Sequence, residues 1–509
     1  MTNLLPLPVL LCLIGAGLSL AAGRRPRVQR FISLLVLTSV AVIAGTLMYV
    51  TDTSGPQVFW VGGWTGGLGI ALVADRLSSL MLLVSVLVTL MVLMFSMGSR
   101  EEAERSRRLP TSIFHPTFLV LSAGVSNAFL TGDLFNLFVG FEMLLFASYV
   151  LITLGGTGER IRAGTTYVVV NLLSSSLFLV ALAAVYAATG TVNMAALSIR
   201  LAELPPGVQL ALQLLLLTVF SIKAAVFPLS AWLPDSYPTA PAPVTAVFAG
   251  LLTKVGVYAI MRTQTVLFPE SPLSGLLMWA ALLTMLIGIL GAVAQSEIKR
   301  MLSFTLVSHI GYMVFGVALA TEAGLAGAIF YIAHHITIQT TLFLVTGLIE
   351  LRGGSTSLKE LGGLAALSPM VGVLFFIPAM NLAGIPPMSG FIGKIGLLTA
   401  GVDKGSWLAY VLVAGGVLTS LLTLYAMAKV WNRAFWRAPP ESDDGRDALI
   451  VRRRGRRMPA GMVLIASALV AAGLGLTVIG GPLYAYSERA AADSTSVAYV
   501  RTVLGEGPR

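Results

Sequence analysis

Apolar stretches of about 20 residues recur along almost the whole chain and constrain its fold more than any other feature. An α-helix of roughly this length crosses the ~30 Å hydrocarbon core of a bilayer. Only 11% of the 509 residues are charged, whereas soluble domains have about 25%, so a soluble domain is excluded. We predict an all-α polytopic membrane protein with about fourteen transmembrane helices, near residues 4–22, 31–50, 74–97, 113–131, 133–154, 164–188, 208–231, 242–262, 274–295, 301–320, 323–349, 368–400, 406–428 and 459–485.

The first apolar stretch ends at Ala21-Ala22, which resembles a signal-peptide cleavage site. It lacks a preceding basic segment and arginines follow it, so a retained first helix is favoured, with cleavage as the alternative. The single cysteine, Cys12, permits no internal disulfide. Cysteine usage therefore does not indicate the redox compartment.

Lys and Arg are distributed unevenly between the predicted loops. The loops after odd-numbered spans carry 23 of the 33, whereas those after even-numbered spans hold only Arg200, Arg262 and Lys404. Cytoplasmic loops are enriched in Lys and Arg, so this pattern predicts that both termini lie on the outer side. The net charge of +10 thus indicates topology and not a nucleic-acid-binding surface. The polar segments 437–457 and 486–509 carry no motif, and we interpret them as a cytoplasmic loop and an external tail.

Three lysines lie inside apolar spans: Lys223, Lys254 and Lys394. A lysine at the bilayer centre costs about 2.5–3.5 kcal/mol on insertion scales, so such residues usually mark ion pathways. The alternative is that their side chains reach the interface. Lys254 is twelve residues from the start and eight from the end of its predicted span, which argues against that alternative.

Glu142 lies in the middle of another apolar span. A carboxylate there must be protonated or paired with a cation. We predict an ion pair with Lys223, whose opening and closing would respond to the gain or loss of a nearby proton. The alternative is a static pair that only fixes helix packing.

Three histidines, His309, His334 and His335, fall within or near span centres. Histidine titrates near neutrality, so we predict that one of the adjacent pair faces the bundle interior as a proton relay, with His309 as a further candidate. Neighbouring residues on a helix point about 100° apart, and no third ligand is evident, so we predict no metal site. His115, beside Pro116, is interpreted as structural.

Two spans contain helix-breaking prolines: Pro228 follows Lys223, and Pro386-Pro387 precede Lys394. Such breaks persist at membrane depth where they are buried in protein or line a wet cavity. Broken helices in two halves of a chain are typical of inverted-repeat transporters. The 171-residue separation of Lys223 and Lys394 agrees with a repeat, although the prolines stand on opposite sides of the two lysines. Kinks kept for packing are the alternative.

These residues resemble the antiporter-like membrane subunits shared by Mrp-type Na⁺/H⁺ antiporters and respiratory complex I. The resemblance covers roughly residues 60–430, and within the family the Glu142 span and the length of the chain are most similar to the D-type branch. It rests on Val73-Ala-Asp-Arg-Leu-Ser78, the Glu142 span, Lys223-Ala-Ala-Val-Phe-Pro-Leu-Ser-Ala-Trp-Leu-Pro-Asp235, Leu251-Leu-Thr-Lys-Val-Gly256 and Gly390-Phe-Ile-Gly-Lys394.

The resemblance implies two inverted five-helix repeats and a polar axis through Glu142, Lys223, Lys254, a histidine of span 11 and Lys394. His334 is preferred to His335 as that histidine. It also implies a hetero-oligomer in the cell membrane. The corresponding domains are 1–112 (helices 1–3), 113–262 (first repeat, helices 4–8), 263–430 (second repeat, helices 9–13) and 431–509 (cytoplasmic loop, helix 14 and external tail).

The leading hypothesis is a proton-translocating subunit of a multi-subunit Na⁺/H⁺ antiporter, with H⁺ and Na⁺ (or K⁺) as the transported ions. The sequence has no GxxxxGK[ST] motif and no Cys cluster, so we expect no cofactor, and the energy must come from ion gradients or partner subunits. Two alternatives stay open: a proton-pumping subunit of NADH–quinone oxidoreductase or a membrane hydrogenase, and a non-transporting assembly scaffold.

Overall fold

The computed structural model describes residues 2–64, 69–105, 113–154, 156–438, 458–495 and 498–505. Within this part of the chain, twelve helical spans are long and apolar enough to cross a membrane: Thr2–Ala21, Pro26–Ser54, Arg76–Gly98, Leu134–Thr153, Arg160–Thr189, Pro206–Ala224, Ala242–Leu267, Ser274–Ala294, Ile298–Ala318, Glu322–Gly353, Trp407–Trp436 and Ala460–Val478. Two shorter apolar helices are Phe114–Leu130 and Pro369–Ala383. The predicted polytopic helical architecture is confirmed, and the count of fourteen membrane crossings stays a prediction.

Two of these spans are parts of longer helices: the third belongs to Arg76–Arg105 and the fifth to Gly158–Thr189. The first span is α-helical only from Leu7 to Ala21. The further helices have at most 16 residues each: Met194–Ala202, Trp232–Ser236, Leu364–Leu367, Ser389–Lys404, Gly480–Thr495 and Ala498–Leu504. Single 3₁₀ turns occupy Thr2–Leu4, Val61–Gly63 and Tyr237–Thr239.

A small β-hairpin departs from the all-α prediction. Strand β1 (Gln57–Trp60) pairs antiparallel with β2 (Ala71–Ala74), so that Gln57 faces Ala74 and Trp60 faces Ala71. Aromatic and β-branched residues in β1 suit a pleated strand. Both strands lie between two membrane helices, and β2 leads directly into the helix that begins at Arg76.

Three almost fully enclosed spans carry Lys254 and the candidate histidines. The apolar windows of Ala242–Leu267 and Glu322–Gly353 are wholly buried and that of Ile298–Ala318 is 94% buried, against 28% for the peripheral Ala460–Val478. Small residues permit this close packing, as they do in membrane bundles generally. For example, a Cβ on Gly288 would lie 2.5 Å from the backbone nitrogen of Ser308.

Two helices are interrupted within the bundle. The first ends at Ala224, seven residues earlier than the predicted span, and Ala225 adopts a left-handed conformation (φ 59°). Helical structure resumes at Trp232, so Pro228 lies in the irregular segment. The second interruption lies between Ala383 and Ser389, where Gly384 (φ 84°) precedes Pro386 and Pro387.

Local features of one half of the chain recur 164 residues later. Asp133 and Glu297 each cap the helix that follows them. Their bridge partners, Asn193 and Ser357, are separated by the same interval, as are the two 32-residue helices Gly158–Thr189 and Glu322–Gly353. This recurrence supports the predicted repeat. The 171-residue interval is longer because Lys223 precedes its break whereas Lys394 follows its own.

One assignment at the predicted outer surface is wrong: Arg262 does not lie in a loop but inside the helix Ala242–Leu267, buried against Asp75. The predicted external tail, 486–509, contains the end of the helix Gly480–Thr495 and the helix Ala498–Leu504, and both helices pack on the bundle. Of the predicted cytoplasmic loop 437–457, residues 439–457 lie outside the described residues.

Candidate proton-transfer site

Lys223 lies in the last turn of its helix, before the first break, and is 4% exposed. Its Nζ donates to Ser175 Oγ at 2.9 Å and to the backbone oxygen of Asn171 at 3.3 Å. The ammonium also lies 5.6 Å from the centre of the Phe141 ring. All these contacts are with neutral groups, so no carboxylate is in direct contact with Lys223.

Ser175 connects Lys223 to Glu142. Its hydroxyl donates to Glu142 Oε1 while accepting from Lys223. Both charged residues are described by the structure, and no direct ion pair joins them. The predicted ion pair is therefore replaced by a contact through a hydroxyl group. Ser175 was missed by the sequence analysis, although the run Ser174-Ser175-Ser176 in an apolar span was a usable signal.

Lys254 is fully buried in the helix Ala242–Leu267. Its Nζ donates to the backbone oxygen of Ala249 at 2.6 Å, inside a π-helical turn over Phe248–Leu252. A π turn alters the backbone hydrogen-bonding ladder and is frequent at functional sites. Here it provides a carbonyl acceptor for a lysine at membrane depth.

Glycines bring the Lys254 helix against both neighbours. A Cβ on Gly256 would lie 2.6 Å from the backbone nitrogen of Ala224, next to Lys223. One on Gly250 would meet the Thr340 side chain of the long helix that carries the histidine pair. Lys254 therefore lies between the Lys223 helix end and that long helix.

All three candidate histidines are fully buried. His309 Nδ1 and the Tyr331 hydroxyl are 2.7 Å apart, and the rings of His309 and His335 are 5.2 Å apart. His334 Nδ1 instead meets Ser389 Oγ at 2.9 Å, where the second broken helix restarts. The two adjacent histidines therefore have different neighbours: His335 lies beside His309, and His334 lies beside the second helix break.

Some ring nitrogens have no protein partner. Within the part of the chain that the structure describes, these are His334 Nε2 and both nitrogens of His335. Buried polar atoms without a protein partner are the places where ordered water is expected in a polar interior. This arrangement suits a relay that is completed by water.

Lys394 is held by the end of the half-helix before the second break. Its Nζ donates to the backbone oxygens of Leu382 at 3.0 Å and Ala383 at 2.9 Å. The last carbonyls of a helix lack intrahelical partners and carry the negative end of its dipole, so they favour a cation. The Tyr312 ring lies 5.2 Å from the ammonium. Like Tyr331 and Ser389, Tyr312 was missed by the sequence analysis.

A cavity of about 250 Å³ lies beside the first break. Asp235 and Arg300, an exposed pair 2.8 Å apart, line it together with Ser230. Its other walls include Pro228 and Val307. The cavity therefore extends from a surface ion pair to the segment that directly follows Lys223.

The family described as NADH:quinone oxidoreductase/Mrp antiporter, TM, matches residues 131–423, more than half of the chain. The chain belongs to this family. The resemblance found in the sequence motifs is thereby confirmed.

Relatives and a solved structure agree over nearly the full length. The D-type Na⁺/H⁺ antiporter subunit of Alkalihalophilus pseudofirmus is 42% identical over 439 residues, 86% of this chain and 87% of the relative. The protein of the same name from Bacillus subtilis is 38% identical, with 93% and 94% covered. A chain in the structure of the Mrp complex from Dietzia sp. DQ12-45-1b superposes with a TM-score of 0.90 at 35% identity, covering 99% of this chain and 100% of that one.

Proposed function

We propose that this chain is the proton-translocating subunit of a multi-subunit Na⁺/H⁺ antiporter. The observation that carries the proposal is the set of buried lysines, each held by neutral oxygen atoms next to a helix break or a π turn. The relatives named as D-type subunits of Na⁺/H⁺ antiporters support the assignment to antiport.

Protons move in this proposal along an axis from Glu142 through Lys223 and Lys254 to a histidine and Lys394. The Ser175 hydroxyl can rotate, so it can pass a proton between the Glu142 carboxylate and the Lys223 amine without a direct ion pair. The cavity beside Pro228 supplies access from the membrane surface to this end of the axis.

The second half of the axis uses the histidines as neutral relays. A neutral imidazole donates from one nitrogen and accepts at the other, which suits His309 between Tyr331 and His335. His334 and Ser389 connect this cluster to the break that holds Lys394. The driving force is about 2.3 kcal/mol per charge per 100 mV and about 1.4 kcal/mol per pH unit.

The protein works with other subunits in this proposal, in the cell membrane with both termini on the outer side. Glu142 is only half-buried in this single chain, yet it lies on a helix long and apolar enough to span the membrane. A carboxylate facing lipid is costly. A neighbouring subunit that covers the Glu142 face removes this cost and continues the axis.

The test is ion movement in everted vesicles that contain the whole complex, expressed in an antiporter-deficient host. We expect proton movement that is driven by Na⁺ and independent of NADH, and that is lost in the Lys223→Ala variant. Proton movement that requires NADH or another electron donor would instead support the redox-complex alternative. Complexes that assemble and transport normally after charge-neutralising substitutions at the axis would contradict the proposal.

A further inference from the structure

Three large polar side chains follow one face of the central helix. Lys254, Tyr258 and Arg262 are spaced four residues apart, so they lie above one another. At 1.5 Å per residue, Arg262 is about 12 Å along the helix from Lys254. The Tyr258 hydroxyl accepts from Arg262 Nε at 3.0 Å and donates to the backbone oxygen of Phe129 at 2.9 Å. This face leads from the membrane interior to the surface that carries the β-hairpin.

At that surface the row of polar side chains ends in a buried ion pair between Arg262 and Asp75. Arg262 Nη2 lies 2.6 Å from Asp75 Oδ2, and the two side chains are 3% and 2% exposed. The other carboxylate oxygen of Asp75 accepts from the backbone nitrogen of Ser78. Arg262 Nη1 has no acceptor among the described residues, and a guanidinium donor does not take up a further proton.

The C-terminal tail completes the enclosure. The Arg262 guanidinium lies 5.1 Å from the ring centres of both Tyr258 and Tyr499, the latter in the tail helix Ala498–Leu504. The preceding tail helix is fastened to the bundle by an ion pair of 2.6 Å between Asp493 and Arg76. Tyr499 is 2% exposed, so the tail covers Arg262.

We propose that Asp75, Tyr258, Arg262 and Tyr499 form a seal that prevents protons and hydrated cations from passing between Lys254 and this surface. The inference rests on the proposed function, because a seal matters only if Lys254 carries protons. Arginine stays protonated at all accessible pH values, so it does not act as a relay. The guanidinium keeps its positive charge beside Asp75, and its Nη1 has no acceptor among the described residues, so this group also repels protons and metal cations.

The rival explanation is that the Asp75–Arg262 ion pair only stabilises the packing of the helices. Burying an ion pair removes two charges from water, and well-packed apolar residues often stabilise a protein equally well or better. A purely structural role therefore does not require charged side chains at positions 75 and 262. Charge is required if cations must be excluded between Lys254 and this surface.

The seal is tested by the passive decay of an imposed pH gradient in Na⁺-free vesicles that contain the whole complex. Asp75→Asn combined with Arg262→Gln removes both charges and retains polar side chains of similar shape. Tyr499→Ala removes the outer ring and leaves room for on the order of three water molecules of ~30 Å³ each. We expect the gradient to decay about tenfold faster in both, as for a barrier lowered by about 1.4 kcal/mol.

Matched controls separate the seal from general damage. Tyr499→Phe keeps the ring, and Arg501→Gln changes an exposed arginine on the same tail helix as Tyr499; both should decay as the wild type does. Assembly is checked by native electrophoresis, and Tyr499→Ala decides the question if the double variant does not assemble. Wild-type decay in an assembled double variant or in Tyr499→Ala overturns the seal. Failure of the wild-type complex to exchange Na⁺ for H⁺ in the same vesicles overturns the proposed function.

Discussion

Removing the Ser175 hydroxyl should slow transport without disturbing the fold. In the structure this one group accepts from Lys223 at 2.9 Å and donates to Glu142. Hydrogen bonds to charged groups contribute about 1.5–3 kcal/mol each. If one such bond is used in the rate-limiting proton transfer, Ser175→Ala lowers the antiport rate roughly 10- to 100-fold, because each 1.4 kcal/mol is a factor of ten.

The assay is the initial rate of Na⁺-dependent proton movement in everted vesicles, normalised to the amount of assembled complex. Ser174→Ala is a matched control, because Ser174 is also buried on the same helix but, among the described residues, bonds only to the backbone oxygen of Val219, at 3.4 Å. Ser175→Thr retains a hydroxyl and should restore most of the rate. A Ser175→Ala complex that transports at the wild-type rate would refute the role of the hydroxyl.

Two further predictions concern glycine geometry and a buried carboxyl group. Gly384→Ala should abolish most antiport in the same vesicle assay, because the new Cβ would lie 2.9 Å from Lys394 Cδ. The control is Gly405→Ala, which should transport normally: Gly405 also has a positive φ, but no atom lies nearer than 3.9 Å to the new Cβ. Burial raises the pKa of Asp133 to about 6. Its ionisation therefore opposes folding as the pH rises from about 4 to 6, and the cost persists above 6. Asp133→Asn keeps a capping oxygen. At pH 8 the substitution should raise the free energy of unfolding by up to roughly 3 kcal/mol, which is measured as a higher thermal midpoint. This gain should shrink towards pH 5, and an equal gain at both values would contradict the reasoning.

The sequence sufficed for features that depend on one residue and the solvent around it. Lipid leaves a helix as the main way to satisfy the backbone, so apolar length gave most helices to within a few residues. The same argument identified Lys223, Lys254 and Lys394 as exceptional, because charge at membrane depth is costly whatever the fold. Pro228 and Pro386 indicated where helical hydrogen bonding is interrupted, since proline lacks a backbone donor.

Features that depend on which helices meet were not predictable in this way. Ser175 reads as an ordinary small polar residue until its helix is placed between Glu142 and Lys223. Arg262 reads as a loop arginine because its partner, Asp75, is 187 residues away in the chain. The tail helices contain many polar residues, and their docking depends on ion pairs with residues such as Asp52 and Arg76.

The most direct test of the central claim is the Na⁺/H⁺ exchange rate of the assembled complex carrying Lys223→Met. The account predicts loss of exchange with normal assembly, because the variant keeps the length of the side chain but removes the group that meets Ser175. Lys404→Met, which alters an exposed lysine at a helix end, should exchange at the wild-type rate. Undiminished exchange in an assembled Lys223→Met complex would contradict the proposed proton axis.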